Sequence, residues 1–466
     1  MTVIMRHIIS SIGIIYFFIL PVYLPLRTLG IELSSYEHLS TPTDLILYFL
    51  QIMLLIGCNS ILLSLCHGWL AKRYLIKERL IIHWYRTIAV IFSVFFAASS
   101  YFILTPNSLL SLYFWSGAHY FIISFFQILI RSEIHHNRSG ITKAGANNYF
   151  GLVLNLSAVI ALSVFSYFYA THNLKYYGTY CFLLELGFCI YLLFGRRYYV
   201  SILKIGNKFS LKVKATFIFL CTLSLLLSSI ASLVFVMSGW LGAVSLLAFV
   251  IYFYIQLKPE VDKRDLQLII SVSLGYGLIL AIVSGSVMTY LIRNYSSNYD
   301  VFNIAFSCEP LFSVFIGLVF SYFLMAGKIK TAKNDLDNSL FLLNFCVPVI
   351  LGFFILSTFM KPSLYYLVIM FGFYAFLEYT SLFYVRQIAQ NEDYTDFQAA
   401  RLTNFHSIIL NSLCPSLLYL SILLLTKFTT LELKEQLIVS ISGLTVLSII
   451  YNISRNYVMR GVYESY

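Results

Sequence analysis

The sequence predicts an all-α protein made almost wholly of membrane-spanning helices, about fourteen of them arranged as six, two and six. Three observations predict it: too little charge for water, apolar stretches of spanning length, and Lys and Arg crowded on one side. The chain has 466 residues, of which 59% are hydrophobic and 11% charged. Its mean hydropathy is +0.83. A soluble chain carries roughly 25% charged residues, so this one has too few to cover a surface in water. The longest polar segments, 131–149, 196–212 and 386–403, are too short to fold as domains of their own.

Crossing a bilayer takes about 20 apolar residues. Stretches of that kind run over 8–26, 44–68, 84–105, 109–130, 150–171, 176–195 and 213–239. They continue over 241–257, 266–292, 301–326, 337–359, 363–385, 404–426 and 436–453. Gly239, Trp240 and Gly242 mark the turn between the seventh and eighth. The first stretch, Ile8 to Leu26, is followed by no small-residue cleavage site and reads as a retained helix.

The basic residues set the orientation. With the N-terminus inside, 25 of the 31 Lys and Arg fall in inside segments and 6 in outside ones. That bias obeys the positive-inside rule along the whole chain. A single missed or invented span would invert every later loop and spoil it. Both termini are therefore expected on the cytoplasmic side of a plasma membrane, in a bacterium the inner one. The net charge of +11 reads as topology and contact with anionic lipid, not as a nucleic-acid surface. All eight cysteines lie in apolar stretches and read as small buried hydrophobes. Neither a disulfide nor a metal site is expected, and nothing implies a cofactor.

A short internal repeat suggests duplicated halves. Asn148–Asn155 reads NYFGLVLN and Asn404–Asn411 reads NFHSIILN. Each opens a span after a polar inside segment, and the two spans lie eight apart. Two six-helix bundles, 1–200 and 263–466, with an inserted helix pair at 201–262, give that spacing. Repeated halves are common in secondary transporters.

The loop after the second span runs His67, Gly68, Trp69, Leu70, Ala71, Lys72, Arg73, Tyr74, Leu75, Ile76, Lys77, Glu78, Arg79. It resembles the cytoplasmic signature loop of the major facilitator superfamily. Gly68, Arg73 and Lys77 match that pattern, and Arg79 extends the basic cluster. Lys72 replaces the usual acid, Leu75 the second glycine and Ile76 the base after it. Within the superfamily the layout is most similar to the proton-dependent oligopeptide transporters, whose bacterial members insert two helices between the halves. The resemblance places Glu378 at a substrate-facing position of the tenth core helix, and the proline break at Cys308-Glu309-Pro310 is loosely similar to one in that family. The chain departs from the family at Ile8–Leu26, which lacks the glutamate-rich proton-coupling motif, and at 109–130, which lacks a lysine.

Ionisable groups inside a bilayer are costly and usually functional. Three acids lie well inside spans, Glu185, Glu309 and Glu378, and His119 is the deeply placed imidazole. His406 stands about a turn into its span. No Lys or Arg lies deep in a span. A carboxylate-lined cavity suits a cation, an amine or a proton. Asn155, Asn411, Gln51 and Gln127 read as hydrogen-bond partners between helices rather than ligands.

The expectation is a secondary active transporter of a small cationic or peptide-like solute, working by alternating access with proton coupling. Its partners are that solute and membrane lipid. The alternative is a lipid-linked oligosaccharide flippase of the polysaccharide-export type, for which cationic side chains in the cavity are expected. A membrane enzyme fits less well. The longest outside loop, Arg27–Pro42, offers Glu32, Glu37 and His38 without a recognisable motif, and the sequence has no P-loop.

Overall fold

The computed structural model describes residues 110–122, 140–171, 173–194, 239–282, 299–325, 364–389, 396–432 and 435–447, Tyr394, and isolated positions within 47–51, 95–108, 219–234 and at 450. Every regular element among the described residues is helical. In lipid this follows from the backbone, which must satisfy its own N–H and C=O groups. The principal helices are α1 (Gly140–Ala170), α2 (Leu174–Phe194), α3 (Trp240–Leu257), α4 (Lys263–Ile282), α5 (Tyr299–Met325), α6 (Leu364–Ala389), α7 (Asp396–Ile408) and α8 (Cys414–Phe428). Shorter helical segments cover 110–122 and Glu435–Leu447.

Helix ends depart from the apolar stretches where the backbone has no reason to stop. α1 begins ten residues before the apolar stretch at 150, inside a segment that reads as a polar loop. No proline interrupts Gly140–Ala170, so helical bonding extends beyond the apolar part. α7 likewise starts at Asp396, ahead of the stretch at 404.

α7 and α8 form one rod joined by a π-helical turn, Ile409–Leu413. Pro415 explains it. A proline lacks the N–H that the fourth residue back would use, and its ring crowds that carbonyl. Here the Cys414 N–H bonds to the Ile409 carbonyl, five residues back, and the wider turn makes room.

Exposed apolar side chains line one face of several of the long helices. On α5 they are Leu311, Phe315, Leu318 and Tyr322; on α1, Leu156, Ile160 and Tyr167. This spacing is a single helical stripe, and lipid is its natural solvent. Trp240–Leu257 and Arg401–Phe428 are long and apolar enough to cross a membrane on their own. The opposite faces pack together. α1 packs most extensively on α5, and α5 in turn on α6. α4 packs on α6, α8 and the π turn, and α3 packs on α8.

Small residues set the closest approaches, as expected where helices pack in lipid. A Cβ at Gly277 of α4 would come within 2.7 Å of the Cys414 sulfur on α8. Cys181 and Cys414 are buried free thiols, as the apolar reading of the cysteines expects. At Gly239, just before α3, φ is +54° and a Cβ would meet the Tyr419 hydroxyl at 2.7 Å. The Gln51 amide donates to that same hydroxyl at 3.3 Å, so a residue of the second span, the turn before α3 and α8 meet there. Gly239→Ala is expected to cost about 2 kcal/mol or more, from left-handed strain with steric crowding added. The measurement is the apparent melting temperature in detergent. An unchanged value contradicts the geometry.

Candidate functional site

The face that a side chain presents follows from helical rotation, about 100° per residue. On α6, Ile369 and Phe376 are exposed, while Phe371 and Tyr374 are buried. Glu378 lies about 40° from Tyr374 and about 200° from Phe376 by that rotation. It therefore points away from the exposed apolar face. Even so, it keeps part of its surface accessible.

Two clusters flank Glu378 on α6. The first joins α6 to α1 and α5. The Tyr379 hydroxyl donates to the Asn148 side-chain oxygen and lies 3.1 Å from its backbone carbonyl. The Asn148 amide donates to the Gly317 carbonyl at 2.9 Å and to Ser321 Oγ. Gly151 and Gly317 sit directly against the Tyr379 ring and hydroxyl.

The second cluster joins α6 to α4 and α7. The Tyr276 and Tyr374 hydroxyls are 2.8 Å apart, and their rings stack with centroids 5.7 Å apart. The Tyr276 ring stacks in turn on His406, at 6.5 Å and 19°. Ser273 Oγ lies 2.7 Å from His406 Nδ1 and donates to the Ile269 carbonyl. His406 is fully buried.

The remaining predicted residues lie elsewhere. His119 is buried on the 110–122 segment, with Ser99 Oγ 2.9 Å from its Nδ1. Glu185 is fully buried on α2, on a stripe with Tyr177 and Cys181. Glu309 stands on the α5 backbone one residue before the buried Pro310, and its side chain lies outside the described residues. The signature-like loop with Gly68, Lys72, Arg73 and Arg79 also lies outside them, as does Gln127. Glu378, Glu185 and His119 are thus carried by three separate helices.

Some of the sequence reading is corrected here. The Asn155 and Asn411 amides donate to the carbonyls of Gly151 and Ser407, four residues back on their own helices. Among the described members of that group, Gln51 bridges helices. The two repeat segments therefore share a local bonding pattern, and Asn148 and Asn404 at their heads are both buried.

Sequence reasoning missed the buried cation. Arg401 belongs to a polar segment by composition, yet it is only 2% exposed. Its guanidinium pairs with Glu260, in the turn between α3 and α4, and lies 5.2 Å from the Phe253 ring centroid. Gln398 donates to the Glu260 carbonyl at 2.7 Å. One turn away the Tyr394 hydroxyl donates to Asp265 at 2.8 Å, and the Asp262 N–H donates to Tyr394 at 3.2 Å. Burial, and then the Asp265 carboxylate, push the Tyr394 phenol well above its usual range. These partners sit about 130 to 140 residues apart in sequence, and no local pattern links them.

Neither a protein-family profile nor any curated protein matches the sequence. Solved structures do match the fold. One is a bacterial homologue of the human drug peptide transporters PepT1 and PepT2, with a TM-score of 0.60 and 13% identity over 99% of this chain and 100% of that one. The chain shares the fold of that structure. A second match is a POT family transporter in complex with 5-aminolevulinic acid, with a TM-score of 0.64 and 13% identity over 96% and 95% of the two chains. A third comes from work on substrate recognition in proton-dependent oligopeptide transporters, with a TM-score of 0.57 and 14% identity over 97% and 96%. The shared fold thus extends over nearly the full length of the chain. Among the described residues it is all-helical, with helices long and apolar enough to cross a membrane.

Proposed function

We propose that the chain is a secondary active transporter of a small peptide-like or cationic solute, driven by a proton gradient through alternating access. One observation carries the reading. Glu378 is a partly exposed acid on the inward side of α6, within a fold shared with peptide transporters. A carboxylate there supplies a counter-charge to a solute amine or a site for a proton. The pseudo-repeated halves, with Asn148–Asn155 and Asn404–Asn411 as equivalents, are the bodies that rock against each other in this reading.

Glu309, Glu185 and His119 are the further candidates for contact with solute or proton. The oligosaccharide-flippase alternative needs cationic side chains facing its cavity. Arg401, the buried cation described above, is turned to Glu260 instead.

The test uses purified protein in proteoliposomes with labelled trialanine and an acid-outside pH gradient. Wild type is expected to accumulate the peptide. Glu378→Gln is expected to lower accumulation at least about tenfold, as loss of a functional intramembrane charge should. Its size-exclusion profile should stay unchanged. Accumulation by Glu378→Gln equal to wild type would remove Glu378 from the site.

A further inference from the structure

We propose that two polar latches tie the halves of this protein together, one at Asn148 and one at Tyr419, and that they open in alternation. The proposal rests on the transporter reading above, with its two rocking bundles, and names the contacts that the rocking must break.

Asn148 belongs to the first bundle, and its side-chain amide is turned wholly to the second. The amide nitrogen donates to the Gly317 carbonyl at 2.9 Å and to Ser321 Oγ. The amide oxygen accepts from the Tyr379 hydroxyl. A carbonyl only accepts, so Gly317 fixes which way the amide points. Asn155, farther along the same helix, bonds instead to the Gly151 carbonyl of its own backbone. Packing closes the junction as well. A Cβ at Gly317 would come within 2.7 Å of both Leu152 from α1 and the Tyr379 hydroxyl from α6.

Tyr419 of the second bundle makes the other contact. The Gln51 amide, from the first bundle, donates to its hydroxyl at 3.3 Å. Gly239, from the inserted pair, lies against the same oxygen. The two latches stand at different depths. α6 ends at Ala389, α7 begins at Asp396, and the two helices pack on each other, so these ends share one side. Tyr379 is ten residues from that side along α6, about 15 Å. Tyr419 is twenty-three residues from it along the α7–α8 rod, about 34 Å. Roughly 20 Å of depth therefore separates the latches. Glu378 immediately precedes Tyr379, so the first latch uses the segment that carries the solute acid.

Hydrogen bonds suit this duty. When a cleft opens at one end, each bond across it is exchanged for a bond to water, and the net cost of parting is small. Lipid offers no such exchange, so the halves part toward an aqueous side. Both latches join the same two bodies. Rocking that opens the Asn148 end presses the halves together at the Tyr419 end, and the reverse motion does the opposite.

The experiment is hydrogen–deuterium exchange with mass spectrometry on the full chain in nanodiscs, for wild type, Asn148→Ala and Tyr419→Phe. Asn148→Ala is expected to speed exchange over 143–152 and 316–323 by at least about fivefold, the effect of losing one such bond or more. Exchange over 236–242 and 416–422 should stay unchanged or slow. Tyr419→Phe is expected to give the converse pattern. Faster exchange at both ends in either variant overturns the proposal, because general loosening gives that result. Unchanged exchange at the altered end overturns it too. If Asn148→Ala does not fold, Tyr379→Phe takes its place with the same expected pattern. Trialanine exchange by wild type in proteoliposomes separates this proposal from the reading beneath it. Loosening at both ends in a protein that exchanges trialanine overturns the latches alone. Converse patterns in a protein that does not exchange it support the latches and count against the transporter reading.

Discussion

Glu260→Ala is expected to destabilise the folded protein by about 3 kcal/mol or more. Removing this carboxylate leaves the Arg401 guanidinium buried without its counter-charge. An ion pair taken out of water is weak evidence of stability in itself, because desolvation offsets most of the attraction. Breaking it is another matter, since the remaining charge has already lost its water. Arg401→Ala should cost less, because Glu260 keeps 23% of its side chain accessible and can recover some hydration. The double variant Glu260→Ala with Arg401→Met should recover most of the loss, since Met retains an apolar stem for the Phe253 ring. The readout is the apparent melting temperature in detergent. Equal melting temperatures for wild type and Glu260→Ala would show that the pair is not formed.

Gly317→Val is expected to be comparably damaging, at about 3 kcal/mol, because it overpacks the densest helix junction described. A Cβ there would sit 2.6 Å from Leu152 Cδ2 and 2.7 Å from the Tyr379 hydroxyl. One contact is with α1 and the other with α6, so α5 cannot relieve either by moving toward the other. The Gly317 carbonyl also accepts from Asn148, and pushing the helices apart lengthens that bond. The control is Gly443→Val. A Cβ at Gly443 meets nothing within 4 Å, so nothing is overpacked there, and helix propensity favours Val over Gly by a few tenths of a kcal/mol. Equal melting temperatures for the two variants would contradict the α1–α5–α6 packing.

These two sites differ in how far the sequence foretells them. Gly317 lies in an apolar stretch where a glycine signals close helix approach in general, but not which helix approaches. Arg401 and Glu260 read as ordinary members of polar segments. They meet because the turn after α3 folds back against the start of α7. His406 shows the same limit. Its position near the end of an apolar stretch suggests a shallow imidazole. Continuing α7 back to Asp396 places it about 15 Å along the rod, sealed by α4 and α6. Glu378 was more legible, because a carboxylate in the middle of an apolar stretch is costly wherever the helix sits.

The amino-acid order by itself determined that the chain lives in lipid, that it spans as helices, and where most of those helices lie. The physical reason is that these properties are sums over local composition. Charge content sets the solvent, and run length sets the span. Which helices touch, that Glu378 faces inward rather than toward lipid, and that Arg401 and His406 are buried with partners from other helices were decided only by the tertiary structure. Those contacts join residues more than a hundred positions apart, and their energy resides in helix rotation and packing, which no local sum of residues contains.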